Sequence, residues 1–161
     1  MDENRPDAAL ARAYLPSLLD MTAERIREAL AGLSDAELRA RPQGLAPALW
    51  QIGHVALSDA NLAARAGEAV ALPEGYAALF SRGSTGDGEL PPKEDVLRLF
   101  QEAHDRLLRL AGGDLDRPAV SPSGAYRTVG EGLVFMLYHR GYHHGKLMTL
   151  RALLGKPRLL G

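Results

Sequence analysis

The stretch "GEGLVFMLYHRGYHHGKLMTLRALLGKP", residues 130–157, predicts one long helix that ends at Gly155 and Pro157. One face of this helix carries Gly132, Phe135, Met136, Leu147 and Leu150. A helix with such a long apolar face must bury that face against other helices. The stretch therefore indicates a helical bundle.

Three other stretches carry helical patterns. Near the N-terminus, apolar residues recur at steps of three and four residues: Leu15, Leu18, Leu19, Ile26, Leu30 and Leu33. We expect Pro16 to lie in or near the first turn of that helix, where its missing N–H group costs nothing. The other two helices are expected at residues 46–66, with Gly67 as the stop, and at residues 93–113, closed by glycines.

Shorter elements are expected between the long helices. Ser34 and Glu37 form a capping-box pattern, which predicts a short helix that Pro42 ends. Residues 69–92 form a long connection rich in Gly, Pro and Ser, with one helical turn expected around residues 76–80.

A second irregular connection covers residues 113–128, and no window alternates as a strand would. The predicted fold class is therefore all-α, a four-helix bundle with long connections. We expect a single domain over residues 1–161, with residues 1–9 flexible.

Composition narrows the function. The chain has 161 residues with 19 basic and 20 acidic side chains, a balance that gives no electrostatic reason to expect a nucleic acid or membrane partner. It contains no cysteine, which excludes disulfides, thiolate zinc sites and a cysteine nucleophile. The N-terminus is polar and acidic, unlike a secretory signal, and we expect a cytoplasmic protein.

Histidines supply the candidate chemistry. His139 and His143 are four residues apart, so they share a helix face and can hold one metal ion, although such pairs also arise by chance. His144 and Arg140 are expected nearer to solvent. Because Arg140 stands where zincin proteases carry a glutamate base, that protease chemistry is excluded.

His54 is the candidate third ligand. It belongs to a polar stripe at helical spacing, formed by Gln51, His54, Ser58, Asn61 and Arg65. The stripe is either a solvated face, with His54 at most hydrogen-bonded in the core, or a polar wall inside the bundle that faces the His139 helix. His104 lies in a run of charged residues, and we expect it at the surface.

The stretches "LWQIGHVALSDA", residues 49–60, and "LYHRGYHHGKLMTLRALLGKP", residues 137–157, resemble the two signature regions of the DinB/YfiT-like superfamily. The matching positions are Trp50, His54, His139, His143 and Gly145. Two positions depart from the family pattern: Arg140 replaces a frequent Glu, and Lys146 replaces the usual Gln. The resemblance extends from about Leu18 to Pro157.

This resemblance implies a divalent metal, zinc or nickel, held by His54, His139 and His143 with open coordination positions, and often a homodimer. It also implies a metal-dependent transferase that activates a low-molecular-weight thiol to attack a small-molecule substrate. The alternatives are a metal-assisted hydrolase and a non-catalytic stress-response module for metal binding or dimerisation. By helical angle Lys146 stays on the metal-facing side, where it either binds an anionic substrate or a carboxylate or extends along the bundle to water. By position alone, Tyr142, Arg65 and Arg127 are candidates for contacts with substrate.

Overall fold

A computed structural model describes residues 6–157 and 159 of the chain, without the side chains of residues 6–8 and 11. The helices are α1 (Pro6–Leu30), α2 (Asp35–Arg39), α3 (Ala48–Arg65), α4 (Tyr76–Phe80), α5 (Lys93–Ala111) and α6 (Val129–Leu153), with a 3₁₀ turn at Pro42–Gly44. The four long helices α1, α3, α5 and α6 pack together, and the described residues contain no strand, so the predicted all-α fold is confirmed.

Local signals set several helix ends. The Ser34 side chain accepts a hydrogen bond from the Glu37 N–H group, and the Glu37 side chain accepts one from the Ser34 N–H group, so the predicted capping box is present. Thr128 caps α6 in a similar way by accepting from the Glu131 N–H group. Beyond α3, Gly67 adopts a left-handed φ of 79°, as expected of a helix stop.

The predicted start of α1 is wrong. The helix begins at Pro6, and Pro16 lies inside it, although proline lacks the N–H group that a helix interior requires. The preceding residues, "DAALARAYL", include four alanines, whose helix propensity favours an earlier start. Of the segment expected to be flexible, residues 1–5 lie outside the described part, and residues 6–9 form the first turn of α1.

The core consists of two apolar clusters. One is built around Ile26, Val55, Phe80 and Phe100. The other is built around residues such as Leu62 and Met136. Within the described residues, no helix is long and apolar enough to cross a membrane.

Charged residues form a buried layer between the two clusters. Arg140 is 0% exposed, and its Nε and Nη2 atoms donate to Asp59 Oδ2 at 3.1 and 2.8 Å. Its Nη1 atom donates to the Leu19 carbonyl at 3.0 Å. The guanidinium also donates to His104 Nδ1 at 3.4 Å, and His104 Nε2 donates to Asp20 Oδ1 at 2.9 Å.

The surface positions expected for Arg140 and His104 are therefore wrong, since both side chains are buried. Their sequence neighbours are charged or polar, but the groups that compensate them lie on other helices. Arg140 on α6 is paired with Asp59 on α3 and contacts Leu19 on α1 and His104 on α5. This layer thus connects all four long helices.

Single substitutions in the ion pair should be strongly destabilising. Asp59→Leu leaves the buried Arg140 without an opposite charge, and Arg140→Met does the same to Asp59. Each should lower the free energy of unfolding by about 3–5 kcal/mol. The double variant, which removes both charges, should recover most of that loss. Urea unfolding measures all three.

The matched control is Arg98→Met, because Arg98 makes ion pairs on the exposed surface of α5 and its loss should leave stability nearly unchanged. Equal destabilisation by Arg98→Met and Arg140→Met would contradict the role assigned to the buried layer.

Candidate metal centre

Three histidines from two helices meet at one point. His54 lies on α3, while His139 and His143 lie one turn apart on α6. One ring nitrogen from each histidine lies within 4.8 Å of the other two, and the Nε2 atoms of His139 and His143 are 3.2 Å apart. Two nitrogens bound to one tetrahedral zinc ion at about 2.1 Å are about 3.4 Å apart, so this spacing fits a shared ion.

Hydrogen bonds fix the tautomers of two of the rings. His54 Nδ1 is 2.7 Å from the Phe80 carbonyl oxygen, which can only accept, so this nitrogen carries the proton. His143 Nδ1 donates to Gln51 Oε1 at 2.7 Å, and Gln51 Nε2 donates to the Ala46 carbonyl, which sets the orientation of the amide. Both rings therefore keep an unprotonated Nε2, the form that binds a metal ion.

Burial keeps the three imidazoles neutral. Desolvation, followed by the charge repulsion of neighbouring His54 and Arg140, lowers the pKa of His139 to about 4. Desolvation and the nearby His139 lower the pKa of His143 to about 3. Desolvation also lowers the pKa of His54, although its bond to Phe80 acts in the opposite direction.

One atom of the cluster has no partner. His139 Nδ1 is buried and makes no hydrogen bond to any of the described residues. The close Nε2 atoms of His139 and His143 also require either a proton between them or a cation beside both lone pairs. This donor set, with three neutral imidazoles and an unsatisfied polar atom, fits a divalent transition metal.

The connection after α3 supports His54. The Trp50 indole stacks on the His54 ring with centroids 5.0 Å apart, and its Nε1 atom donates to the Leu79 carbonyl and to Ser84 Oγ. At Gly53, a Cβ atom would lie 2.1 Å from the Phe80 ring. Because Gly53 lacks that atom, Phe80 can pack on α3 and present its carbonyl group to His54.

The cluster opens into a cavity of about 750 Å³, a volume typical of small-molecule sites. The polar stripe of α3 contributes Gln51, His54, Ser58, Asn61 and Arg65 to the lining. The stripe runs from buried Gln51 to exposed Arg65 and forms one wall of a cavity that His139 and His143 also line. The connections contribute Ser81, Arg82, Ser121, Ser123 and Tyr126, and α6 contributes Tyr138, Tyr142 and Lys146.

The predicted contact residues fall in different places. Arg65, Tyr142 and Lys146 line the cavity, and Lys146 Nζ lies 5.4 Å from the centre of the Tyr142 ring. Arg127 is exposed, but it is not among the lining residues. Sequence reasoning missed Arg82 and the Phe80 carbonyl, and no motif marks a backbone oxygen in advance.

The fold and the histidine cluster together define a helical-bundle protein with a candidate metal centre. The family model of the DinB superfamily matches residues 18–147. The chain therefore belongs to the DinB superfamily, as its two histidine stretches predicted. Neither the curated proteins nor the solved structures give a significant match. Membership of this superfamily and the three-histidine group are compatible with the binding of a divalent metal.

The lowered histidine pKa values predict acid sensitivity of the metal-free protein. Below about pH 6.5 the unfolded chain binds protons on these side chains, whereas His139 and His143 in the folded chain stay neutral until about pH 4 and 3. The free energy of unfolding should therefore fall between pH 7 and 4, by up to about 1.4 kcal/mol per pH unit for each neutral histidine.

Urea unfolding in the presence of a chelator measures this slope, and His139→Gln/His143→Gln should make it shallower. The same slope in the double variant would contradict the assignment of low pKa values to the cluster.

Proposed function

We propose that the chain binds one zinc or nickel ion through His54, His139 and His143. The observation that carries this proposal is the approach of three neutral imidazole nitrogens to within 4.8 Å of one another. Gln51 and the Phe80 carbonyl hold two of the rings in the tautomer that a metal requires. The residues that hold the ion thus come from α3 and α6, with support from α4.

An open coordination position follows from the donor set. The lining of the cavity contains no carboxylate, and the chain has no cysteine, so the described residues offer no fourth ligand of these kinds. Three protein ligands with a free position beside a cavity are typical of catalytic rather than structural metal sites. When bound, the ion supplies a positive charge that lowers the pKa of a thiol or water at that position.

The proposed activity is transfer of a low-molecular-weight thiol to a small electrophilic substrate. Because the chain has no cysteine, the thiol must come from a cosubstrate. The cavity of about 750 Å³ has room for such a molecule, and the tyrosines Tyr138 and Tyr142 stand at its wall. A cytoplasmic setting, where small thiols stay reduced, belongs to the same proposal.

Two other functions use the same centre. A hydrolase would activate water instead of a thiol and would need no thiol cosubstrate. A non-catalytic stress-response module would bind the metal without turnover. The cavity beside the histidines favours an enzyme, because a structural metal site is usually closed by protein ligands.

Metal content tests the centre. Elemental analysis of the purified protein should give close to one equivalent of zinc or nickel per chain. His54→Ala and His139→Ala should each lose it while circular dichroism still shows helix, because the apolar core does not depend on the metal. His144→Ala is the matched control, since His144 lies on α6 outside the three-histidine group. Absence of metal after reconstitution with zinc and nickel would contradict the site.

Assays of the metal-loaded protein then distinguish the transferase, the hydrolase and the non-catalytic module. Glutathione, bacillithiol and mycothiol are added in turn, and thiolate absorbance is followed in the ultraviolet. Increased thiolate at pH 7, lost in His143→Ala, supports the transferase. Hydrolysis of model esters without any thiol supports the hydrolase. Neither activity, together with unfolding on chelation, supports the non-catalytic module.

We also propose a homodimer. Apolar side chains are exposed along α1 at Leu10, Tyr14, Leu18 and Met21, and along α6 at Val134 and Tyr138. Arg140 bonds to the Leu19 carbonyl and Arg151 to the Ala29 carbonyl, so α1 and α6 run side by side in the same direction. We propose that their exposed apolar residues form one surface, which a second copy of the chain covers.

The oligomeric state tests this surface. Sedimentation should show a dimer for the natural chain and a monomer for Met21→Lys, because the added charge would be buried in the interface. Val120→Lys, at an exposed apolar residue on a different part of the molecule, should remain a dimer. Dissociation of both variants, or of neither, would count against this interface.

A further inference from the structure

The charges around the cavity are of one sign. Arg65, Arg82 and Lys146 line it, whereas none of the described lining residues is acidic. The whole chain is balanced, with 19 basic and 20 acidic residues. The cavity therefore carries a net positive charge although the chain as a whole is nearly balanced, and such a cavity attracts anions.

The three cations of the cavity are unpaired within the part of the chain that the structure describes. Arg65, Arg82 and Lys146 have no carboxylate within 4.0 Å among the described residues. Elsewhere on the surface, arginines such as Arg39 and Arg41 are paired with aspartates. The cations of the cavity thus remain free to pair with a ligand.

Arg65 stands in a corner rich in hydroxyl groups. Its Nη1 atom donates to Tyr126 Oη at 3.3 Å, and the Tyr126 side chain is buried. The turn before Tyr126 is closed by hydrogen bonds from the Ser121 N–H group to the Tyr126 carbonyl and from the Gly124 N–H group to the Ser121 carbonyl. This turn places Ser121 and Ser123 in the cavity lining, where Arg65 is exposed to solvent as Arg127 is.

This corner and the histidines lie on one helix. Arg65 is eleven residues after His54 on α3, a rise of about 16 Å along the axis. Eleven residues are close to three full turns, so Arg65 and His54 lie on the same face of α3. A molecule that spans this distance can therefore bind to Arg65 at one end and reach the histidines at the other.

We propose that the substrate of the cavity is a small organic anion, whose carboxylate or phosphate group is bound by Arg65 in the Tyr126 corner. The planar guanidinium provides the paired donors that such groups accept, and the neighbouring hydroxyls add further donors. This inference deepens the proposed function and rests on it for the reaction at the histidines. The binding of the acid group itself does not require the metal.

Titration calorimetry at low salt tests the proposal with succinate, inorganic phosphate and the uncharged succinamide as probes. At least one of the two anions should bind to the protein treated with a chelator, and succinamide should not. Arg65→Gln should weaken anion binding at least tenfold. The matched control is Arg127→Gln, which makes the same charge change at an exposed arginine outside the cavity lining and should leave binding within twofold.

The probe that binds identifies the acid group: succinate indicates a carboxylate and phosphate indicates a phosphate ester. Equal affinity of the natural chain and Arg65→Gln, equal losses in both variants, or no binding of either anion would overturn the proposal.

Parallel titrations of the metal-free protein with zinc separate this inference from the proposed function. Anion binding without any zinc binding would contradict the proposed metal centre and support the anion site. Zinc binding without Arg65-dependent anion binding would support the metal centre and contradict the anion site.

Discussion

The buried ion pair between Asp59 and Arg140 determines how α3 lies against α6. Asp59 follows His54 by five residues, and Arg140 directly follows His139. A shift of one helix by a single turn would separate the two charges inside the core, at a cost of several kcal/mol. The register that keeps this pair together is also the register that brings His54 to the two histidines of α6.

The histidine centre itself is arranged at the expense of stability. Three imidazoles are held neutral and partly or fully buried, and His139 Nδ1 finds no partner among the described residues. A buried polar atom without a hydrogen bond destabilises a fold, and such atoms occur preferentially at functional positions. The hydrogen bonds that His143 and His54 donate to Gln51 and Phe80 are positioning contacts, since they orient the rings without satisfying the nitrogens that face the cluster.

Periodicity within single helices predicted most of the fold and the two histidines of α6. The spacing of His139 and His143 placed them on one face, and the pattern around Ser34 gave the correct short helix. Contacts between segments that are distant in the sequence were harder to predict. The polar stripe made His54 a candidate but left a solvated face open, and the family resemblance then favoured the metal ligand. Arg140 and His104 were misplaced because their compensating partners lie on other helices. The start of α1 was misplaced because proline in a helix interior is normally excluded.

The central claim is that the protein holds His54 and His143 in the metal-binding tautomer, and all three rings neutral, before any metal arrives. Nitrogen-15 NMR of the metal-free protein at pH 7 reports directly which ring nitrogen carries the proton. We expect neutral rings for His54, His139 and His143, with the proton on Nδ1 in His54 and His143. A proton on Nε2 of His54 or His143, or a charged imidazolium at any of the three positions, would contradict the account.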